Sequence, residues 1–282
     1  MSTGLAEVIG DPIAHSKSPL IHRFWLAKLG LSGDYRPRLV PSEKLRDYFL
    51  EAQGRPDWRG CNVTSPHKQA ILPLLGRLSS EAAAIGAANI VVCEGEDLVG
   101  YNSDGSGFLE PLRPLLARPH LFRMARLFGA GGAARAVAHA LAGEGFTLVV
   151  SARDVRQAEA LVEQLGGEHH AVALSHFAEP TAFPFDDRGG VLDLIVNATP
   201  LGMAGRPALP LDWSHVPPGS VVYDLVYAPL ETPLLAQARA RGHATIDGLS
   251  MLIGQAAIAF EHFFGRKPPR MFDGALREAL LQ

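Results

Sequence analysis

At 282 residues the chain is long enough for about two domains of ordinary size, and a hydrophobic content of 47% is that of a packed globular protein, which excludes disorder over most of its length. Lysine and arginine number 26 against 29 acidic residues, a net charge of −3, so no basic field exists to hold a nucleic acid or an anionic membrane surface. A small anionic ligand met by local positive charge is the better expectation. The two cysteines, Cys61 and Cys93, form no CxxC pair, which excludes a disulfide framework and a cysteine-rich zinc site and fits a reducing, cytoplasmic setting. No cationic segment leads into a long apolar run at the N-terminus, and the most apolar stretch, 249–260, is short and broken by Gln255. Neither a secretory signal nor a membrane span is expected.

Glycine (29) and proline (21) recur at short intervals, and between them apolar strand-like runs alternate with helical periodicity, the pattern of an α/β fold. Residues 6–9 read as a strand ending at Gly10-Asp11-Pro12. Ser18 before Pro19 reads as the N-cap and first position of a helix. Its Leu20, Ile21, Phe24, Trp25 and Leu29 share a face, and Gly30 ends it. The loop before it holds His15, Ser16 and Ser18. A second strand at 61–64 leads into Ser65-Pro66-His67-Lys68, which puts Lys68 in the first turn of a following helix, a ligand-facing place in such folds. Residues 89–92 and 98–101 read as paired strands around the polar turn 94–97, leaving Asp104 exposed at a strand end.

From about residue 121 the texture becomes strand (125–128), glycine-rich turn, alanine-rich helix and strand again (147–151), one βαβ unit. Gly129, Gly131 and Ala134 match G-x-G-x-x-[G/A] in the strand–turn–helix context that this otherwise weak motif requires. Gly129 permits the tight turn, Gly131 lets the backbone approach a pyrophosphate, and Ala134 lets the helix lie close to the strand. The turn residues Gly129, Ala130, Gly131, Gly132 and Ala133 would then seat a dinucleotide on the helix N-terminus. The residue that reads the ribose lies about 20 positions on, where the sequence is Ser151-Ala152-Arg153-Asp154. No acid stands on the strand end itself, and the planar guanidinium of Arg153 suits a 2′-phosphate, so NADP is expected over NAD. Asp154 either caps the next helix, its commoner role, or reaches the ribose itself. Further strands at 192–196 and 220–225 and a helix from Thr232-Pro233 to Gly242 complete a Rossmann-type domain over 105–247. An N-terminal α/β substrate domain would span 1–104, with a long apolar helix and a short amphipathic one in 248–282 packing back on it.

Polar residues without an evident packing role gather in the first hundred or so positions: Ser16, Ser18, Asn62, Thr64, Lys68, Asn89 and Asp104. Singly, each has a plain explanation as a cap, a turn residue or a solvated lysine. Together they supply the ligands a nicotinamide domain would need for its substrate. The stretches GDPIAHSKSP (10–19), NVTSPHK (62–68), AN (88–89), NSDG (102–105), NATPLGM (197–203) and DGLSML (247–252) occur in this order over nearly the whole chain. With the glycine turn they resemble the shikimate dehydrogenase family. That resemblance implies NADPH-dependent reduction of 3-dehydroshikimate to shikimate in aromatic amino-acid biosynthesis. Carried over by motif, Ser16 and Ser18 hold the substrate carboxylate with Tyr227 reaching the same side. Thr64, Asn89, Asp104 and Gln255 hold the ring hydroxyls, Lys68 and Asp104 form the catalytic pair, and Thr199, Gly248 and Met251 join the cofactor contacts. Where the family often has Val-Asn-Thr this chain has Ala88-Asn89-Ile90, it has Ser103 before Asp104, and it has Ala152-Arg153-Asp154 where Asn-Arg-Thr is common.

The chemistry holds without the family. Hydride arriving at a ketone carbon leaves negative charge on oxygen, which an ammonium within hydrogen-bond distance stabilises and then protonates. Lys68 supplies that group, and a carboxylate at Asp104 would hold it and accept a substrate hydroxyl. His15, His22, His67, His169 and His170 make no HExxH and no zinc spacing with cysteine, so no metal is expected. His67 reads as a partly exposed turn residue, and Cys61 and Cys93 as small buried ones. The expected partners are small molecules, with no nucleic acid or membrane, and the expected assembly is a monomer or homodimer. Two alternatives stay open: an NAD-dependent quinate/shikimate dehydrogenase, kept alive by Asp154, and a non-catalytic metabolite sensor, which would need neither Lys68 nor Asp104.

Overall fold

The computed structural model describes residues 4–183, 185 and 188–282. Two compact units divide the chain, one running up to Gly107 and resuming over Leu252–Gln282, the other Phe108–Met251. The first contains, in chain order, β1 (Gly4–Gly10), α1 (Ser18–Leu29), β2 (Gly33–Leu39), α2 (Leu45–Gln53), β3 (Trp58–Val63), β4 (Arg77–Leu78), α3 (Ser80–Ile85), β5 (Ile90–Glu94), β6 (Asp97–Tyr101) and the start of α4 (Asp104–Leu109). Its sheet has the order β2-β1-β3-β5-β6-β4. The strand pairs β1–β2, β1–β3 and β4–β6 are parallel, and β3–β5 and β5–β6 are antiparallel. Every residue of β1 is buried, as a strand covered on both faces must be. Ile9 packs with Phe49, Trp58 and Ile71 on one side, Ala6 and Val8 with Tyr35, Ile90 and Phe263 on the other.

Four local expectations are corrected here. Lys17, not Ser18, precedes α1, and no side chain caps that helix. Ser18 is already helical and buried, and its N–H points to Ser16 Oγ at 3.3 Å. The buried stripe of α1 includes His22 and Leu26 beside Ile21 and Trp25, while Leu20 is exposed. His22 pulls the stripe round because its ring lies flat on Tyr35, with centroids 3.9 Å apart. Lys68 sits in a run of turns followed by a short 3-10 segment, Leu72–Leu74, rather than in a helix. Pro73 has no N–H to give and would clash with the carbonyl four residues back, so an α-helix cannot run through it. Cys61 is buried as expected, but Cys93 is exposed, because the covered part of β5 ends at Val92 and the last two residues of the strand, Cys93 and Glu94, both lie in the open.

The second unit continues with α5 (Arg113–Leu116), β7 (Phe122–Phe128), α6 (Gly132–Gly143), β8 (Thr147–Ala152), α7 (Val155–Leu165), β9 (His170–Ala173), β10 (Val191–Asn197), β11 (Val221–Asp224), α8 (Pro233–Ala240) and β12 (Ala244–Ile246). The strands are parallel, in the order β12-β11-β10-β7-β8-β9. Leu192, Leu194 and Val196 of β10 enter one core while Ile195 enters the other, so helices cover both faces. The winding reverses between β7 and β10, and in such doubly wound sheets a ligand binds beyond the carboxyl ends of those strands. The chain leaves through α9 (Gly248–Phe264), whose residues from Leu252 on belong to the first unit, as does α10 (Asp273–Leu281). There α10 buries Leu276 and Leu280, and the Leu280 carbonyl accepts from the Lys17 ammonium.

Candidate active site

The turn after β3, the residue before β5, and the helices α4 and α9 bring one polar cluster together in the first unit. After β3, Thr64 N–H donates to the Ile9 carbonyl, and the turn that follows is pinned by Ala88 N–H donating to the Lys68 carbonyl at 2.9 Å. Lys68 Nζ lies 2.5 Å from Asp104 Oδ2, with only 14% of the lysine side chain and 4% of the aspartate side chain exposed. Asp104 was expected at an exposed strand end. It is buried because α4 begins there and crosses α9 so closely that a Cβ on Gly107 would lie 2.5 Å from the Gln255 backbone nitrogen. The Asp104 N–H is taken by Asn102 Oδ1 at 2.9 Å.

Asn89 is the hub. Its amide Nδ2 donates to Asp104 Oδ1 at 2.9 Å and to Ser103 Oγ at 3.0 Å, with Gln255 Oε1 farther off at 3.4 Å. Its Oδ1 accepts from Ser103 N–H at 2.8 Å. An amide has two N–H donors, so the three acceptors compete, and the Gln255 oxygen is the one most readily given to a ligand. Gln255 Nε2 is anchored on the Leu252 carbonyl. Beneath this cluster Asn62 Nδ2 donates to the Asn89 carbonyl at 3.0 Å, and Tyr35 donates its hydroxyl to Asn62 Oδ1 at 2.7 Å. Ser18 lies beside Tyr35, whose phenol burial pushes well above its usual range. Ser16 is half-exposed at the mouth of the same loop, and Thr64 packs its methyl over Gly10, where a Cβ would come within 2.6 Å.

The structure thus joins Lys68, Asn89, Asp104 and Gln255 by direct hydrogen bonds and links Tyr35 to them through Asn62. Tyr227 follows β11 in the second unit. His67 is fully buried rather than partly exposed, with Nε2 2.7 Å from the Val40 carbonyl. A carbonyl only accepts, so the proton is on Nε2 and the ring is a structural tie across the turn. Sequence reasoning missed Tyr35 and His22. The only available signal was strand alternation, since Tyr35 is the buried residue between Asp34 and Arg36.

In the second unit Gly129 has φ +117°, a conformation open to glycine. Its N–H donates to the Ser151 carbonyl at 2.7 Å, and a Cβ there would lie 3.0 Å from the Ala198 carbonyl oxygen. Gly131 opens α6 in an extended conformation with no atom near its missing Cβ, and no side chain caps the helix. The open backbone and uncapped N–H groups fit a pyrophosphate. Ala130 and Ala134 are buried, Gly132 and Ala133 half-buried. Thr199 is fixed through its N–H and hydroxyl, both donating to Asn197 Oδ1. A Cβ on Gly248 would collide with the Leu225 carbonyl oxygen, and Met251 is buried in the core of this unit.

At the end of β8, Arg153 is exposed, and among the described residues no carboxylate pairs with it. Asp154 takes the capping role. Its side chain accepts from Arg156 N–H, and its two oxygens lie 3.0 Å from Arg156 Nε and Nη2. The Arg156 guanidinium holds that carboxyl below its usual range. Asp154 is therefore engaged with its own helix. Among the described residues no group of three or more His, Cys, Asp or Glu could hold a metal ion, and no helix is long and apolar enough to cross a membrane.

Known proteins resemble the chain over its whole length. The family model described as shikimate dehydrogenase substrate binding domain matches residues 8–91, and that described as shikimate 5'-dehydrogenase C-terminal domain matches 248–281. A shikimate dehydrogenase (NADP(+)) of Sphingopyxis alaskensis is 46% identical over 278 residues, 98% of this chain and 96% of that protein. One from Rhodospirillum rubrum is 44% identical over 283 residues, again 98% and 96%. The crystal structure of shikimate 5-dehydrogenase from Thermus thermophilus with NADP(H) and shikimate superposes with a TM-score of 0.82 at 38% identity, covering 98% of this chain and 99% of that one. Identity at this level along the full length, with a buried lysine–aspartate pair and a glycine turn opening a parallel sheet, means that the chain belongs to the shikimate dehydrogenase family.

Proposed function

We propose that the chain catalyses the reversible reduction of 3-dehydroshikimate to shikimate with NADPH, a step of aromatic amino-acid biosynthesis. Lys68 held 2.5 Å from Asp104 beside Asn89 and Gln255 carries this reading. Bound NADPH supplies a hydride to the ketone carbon. The Lys68 ammonium stabilises the negative charge on the ketone oxygen and delivers the proton that completes the alcohol. Asp104 keeps the ammonium aimed and accepts a neighbouring ring hydroxyl. Asn89, Gln255 and Thr64 bond the remaining ring hydroxyls, and Ser16, Ser18 and Tyr227 bind the carboxylate. Proton transfer of this kind contributes about 10²–10⁴-fold in rate, roughly 3–5 kcal/mol of barrier.

The unit that runs to Gly107 and resumes over Leu252–Gln282 binds the substrate, and the unit Phe108–Met251 binds NADP. Gly129 to Ala133 receive the pyrophosphate, Arg153 the 2′-phosphate, and Thr199, Gly248 and Met251 the nicotinamide end. The enzyme works in the cytoplasm as a monomer or homodimer on small molecules, without nucleic acid or membrane. A net charge of −3 and two cysteines that form no CxxC pair suit that setting. Steady-state assays with shikimate or quinate, each with NADP+ or NAD+, test the reading. Turnover is expected to be fastest with shikimate and NADP+. A preference for quinate with NAD+ overturns the assignment, and absence of turnover with all four pairs points to a sensor.

A further inference from the structure

Asp224 ends β11 fully buried, and among the described residues no cationic side chain pairs with it. Both of its oxygens nonetheless accept hydrogen bonds from the protein. Oδ1 accepts from Asn197 Nδ2 at 2.9 Å and from Val226 N–H at 3.0 Å, and Oδ2 accepts from the Thr232 hydroxyl at 2.7 Å. Asn197, equally buried at the end of β10, passes the constraint on. Its Nδ2 also donates to the Leu201 carbonyl at 2.9 Å, and its Oδ1 accepts both donors of Thr199. The Leu225 N–H donates to the Asn197 carbonyl, and Thr232 in turn caps α8 through Leu235 N–H. A buried carboxylate without a counter-charge costs desolvation that an apolar side chain would avoid. Consistent with that cost, burial raises the Asp224 carboxyl to about 6.

What this costly group does is tie two loops of one unit to each other. One follows β10 and carries Thr199; the other follows β11 and carries Tyr227. We propose that Asp224 is a positioning residue that sets cofactor and substrate affinity together, by locking the Thr199 loop and the Tyr227 loop to a common carboxylate. This rests on the roles proposed above for Thr199 and Tyr227. Asp224 is fully buried and both oxygens are engaged by donors of the protein itself, so it acts through those loops and not on the reacting atoms.

The test is a split of kinetic constants in the full-length enzyme. Asp224→Ala is expected to raise KM for NADP+ and KM for shikimate together, each by at least about fivefold, with kcat at saturation changed less than about threefold. Asn197→Ala, which frees the Thr199 loop alone, should raise the NADP+ constant more than the shikimate constant. Asp224→Asn keeps one accepting oxygen and should recover part of both losses, and it replaces the alanine variant should that one fail to fold. Unchanged KM values in a variant that merely melts lower, or a rise confined to one ligand, overturn the proposal. Calorimetric titration with NADP+ separates it from the functional reading. A wild type that binds NADP+ without turning over shikimate sinks the latter, whereas equal NADP+ affinity in wild type and Asp224→Ala sinks the former.

Discussion

Lys68 and Asp104 are hydrogen-bonded to each other in a largely shielded site, and their substitutions should separate two roles. Lys68→Ala is expected to lower kcat by at least about 10²-fold while shikimate still binds, because the ammonium acts on charge that develops only in the transition state. A loss below about threefold would return Lys68 to the surface lysines. Asp104→Asn should impair both kcat and KM, since it removes the partner of the lysine and an acceptor for the substrate. The serines differ through their surroundings. Ser18 is buried beside Tyr35, so Ser18→Ala, which removes a packed polar group, should cost about 1 kcal/mol of stability as well as raising KM for shikimate. Ser16→Ala should raise KM with little change in Tm, since its hydroxyl accepts only a long 3.3 Å bond. Equal melting of both variants at wild-type KM would contradict both roles. His22 is boxed by Trp25, Tyr35, Phe260 and Phe263, and burial pushes its imidazole down to about 3 from an ordinary 6.5. The unfolded chain takes up this proton below 6.5 and the folded one does not. The stability conferred is complete above that pH and falls as pH drops toward 3, by at most about 1.4 kcal/mol per unit. Urea midpoints of wild type and His22→Phe across this window check it: the variant should lose stability less steeply, and parallel slopes would show that His22 contributes nothing.

At the scale of elements, the crossing of α4 and α9 decides whether the site assembles. Asp104 opens α4 and Gln255 lies on α9, and the helices approach at Gly107, where a methyl would meet the Gln255 backbone. Gly107→Ala must part them, at the overpacking cost of about 1–3 kcal/mol, and should lower Tm and kcat/KM together. Gly274→Ala in α10, where the added methyl meets open space, should do neither. A Gly107→Ala enzyme with wild-type kcat/KM would show that the crossing does not set the site. Element formation itself was legible wherever the chain carries its own instructions. The paired strands β5 and β6, the Gly30 stop of α1, the Thr232 cap of α8 and the βαβ unit around Gly129 lie where local pattern puts them. The turn holding Lys68 was misread as a helix because Pro73, several residues on, breaks the helix from its C-terminal side.

On the whole-molecule scale, each unit has its own sheet and core, so each ligand should protect its own part of the chain. In hydrogen-exchange measurements NADP+ alone should slow exchange over 129–135 and 197–203, and shikimate alone over 61–68 and 102–107. At about a hundredfold excess over Kd the stabilisation is about 2.7 kcal/mol. Protection of the first unit by NADP+ alone, with the second unchanged, would contradict the division of roles. Local chemistry in the sequence by itself determined the α/β class and the glycine turn with its helix, and the ordered motifs carried the resemblance to the family. Glycine and proline conformations, strand alternation and motif spacing act over a few residues, and a chain displays such constraints directly. Only the tertiary structure decided that Asp104 is buried, that Ser18 is a packed helical residue rather than a cap, and that Asp154 is held by Arg156. Burial and partnership depend on which distant segment closes over a side chain. For Asp104 that segment is α9, more than a hundred residues away in sequence, and no local pattern encodes its approach.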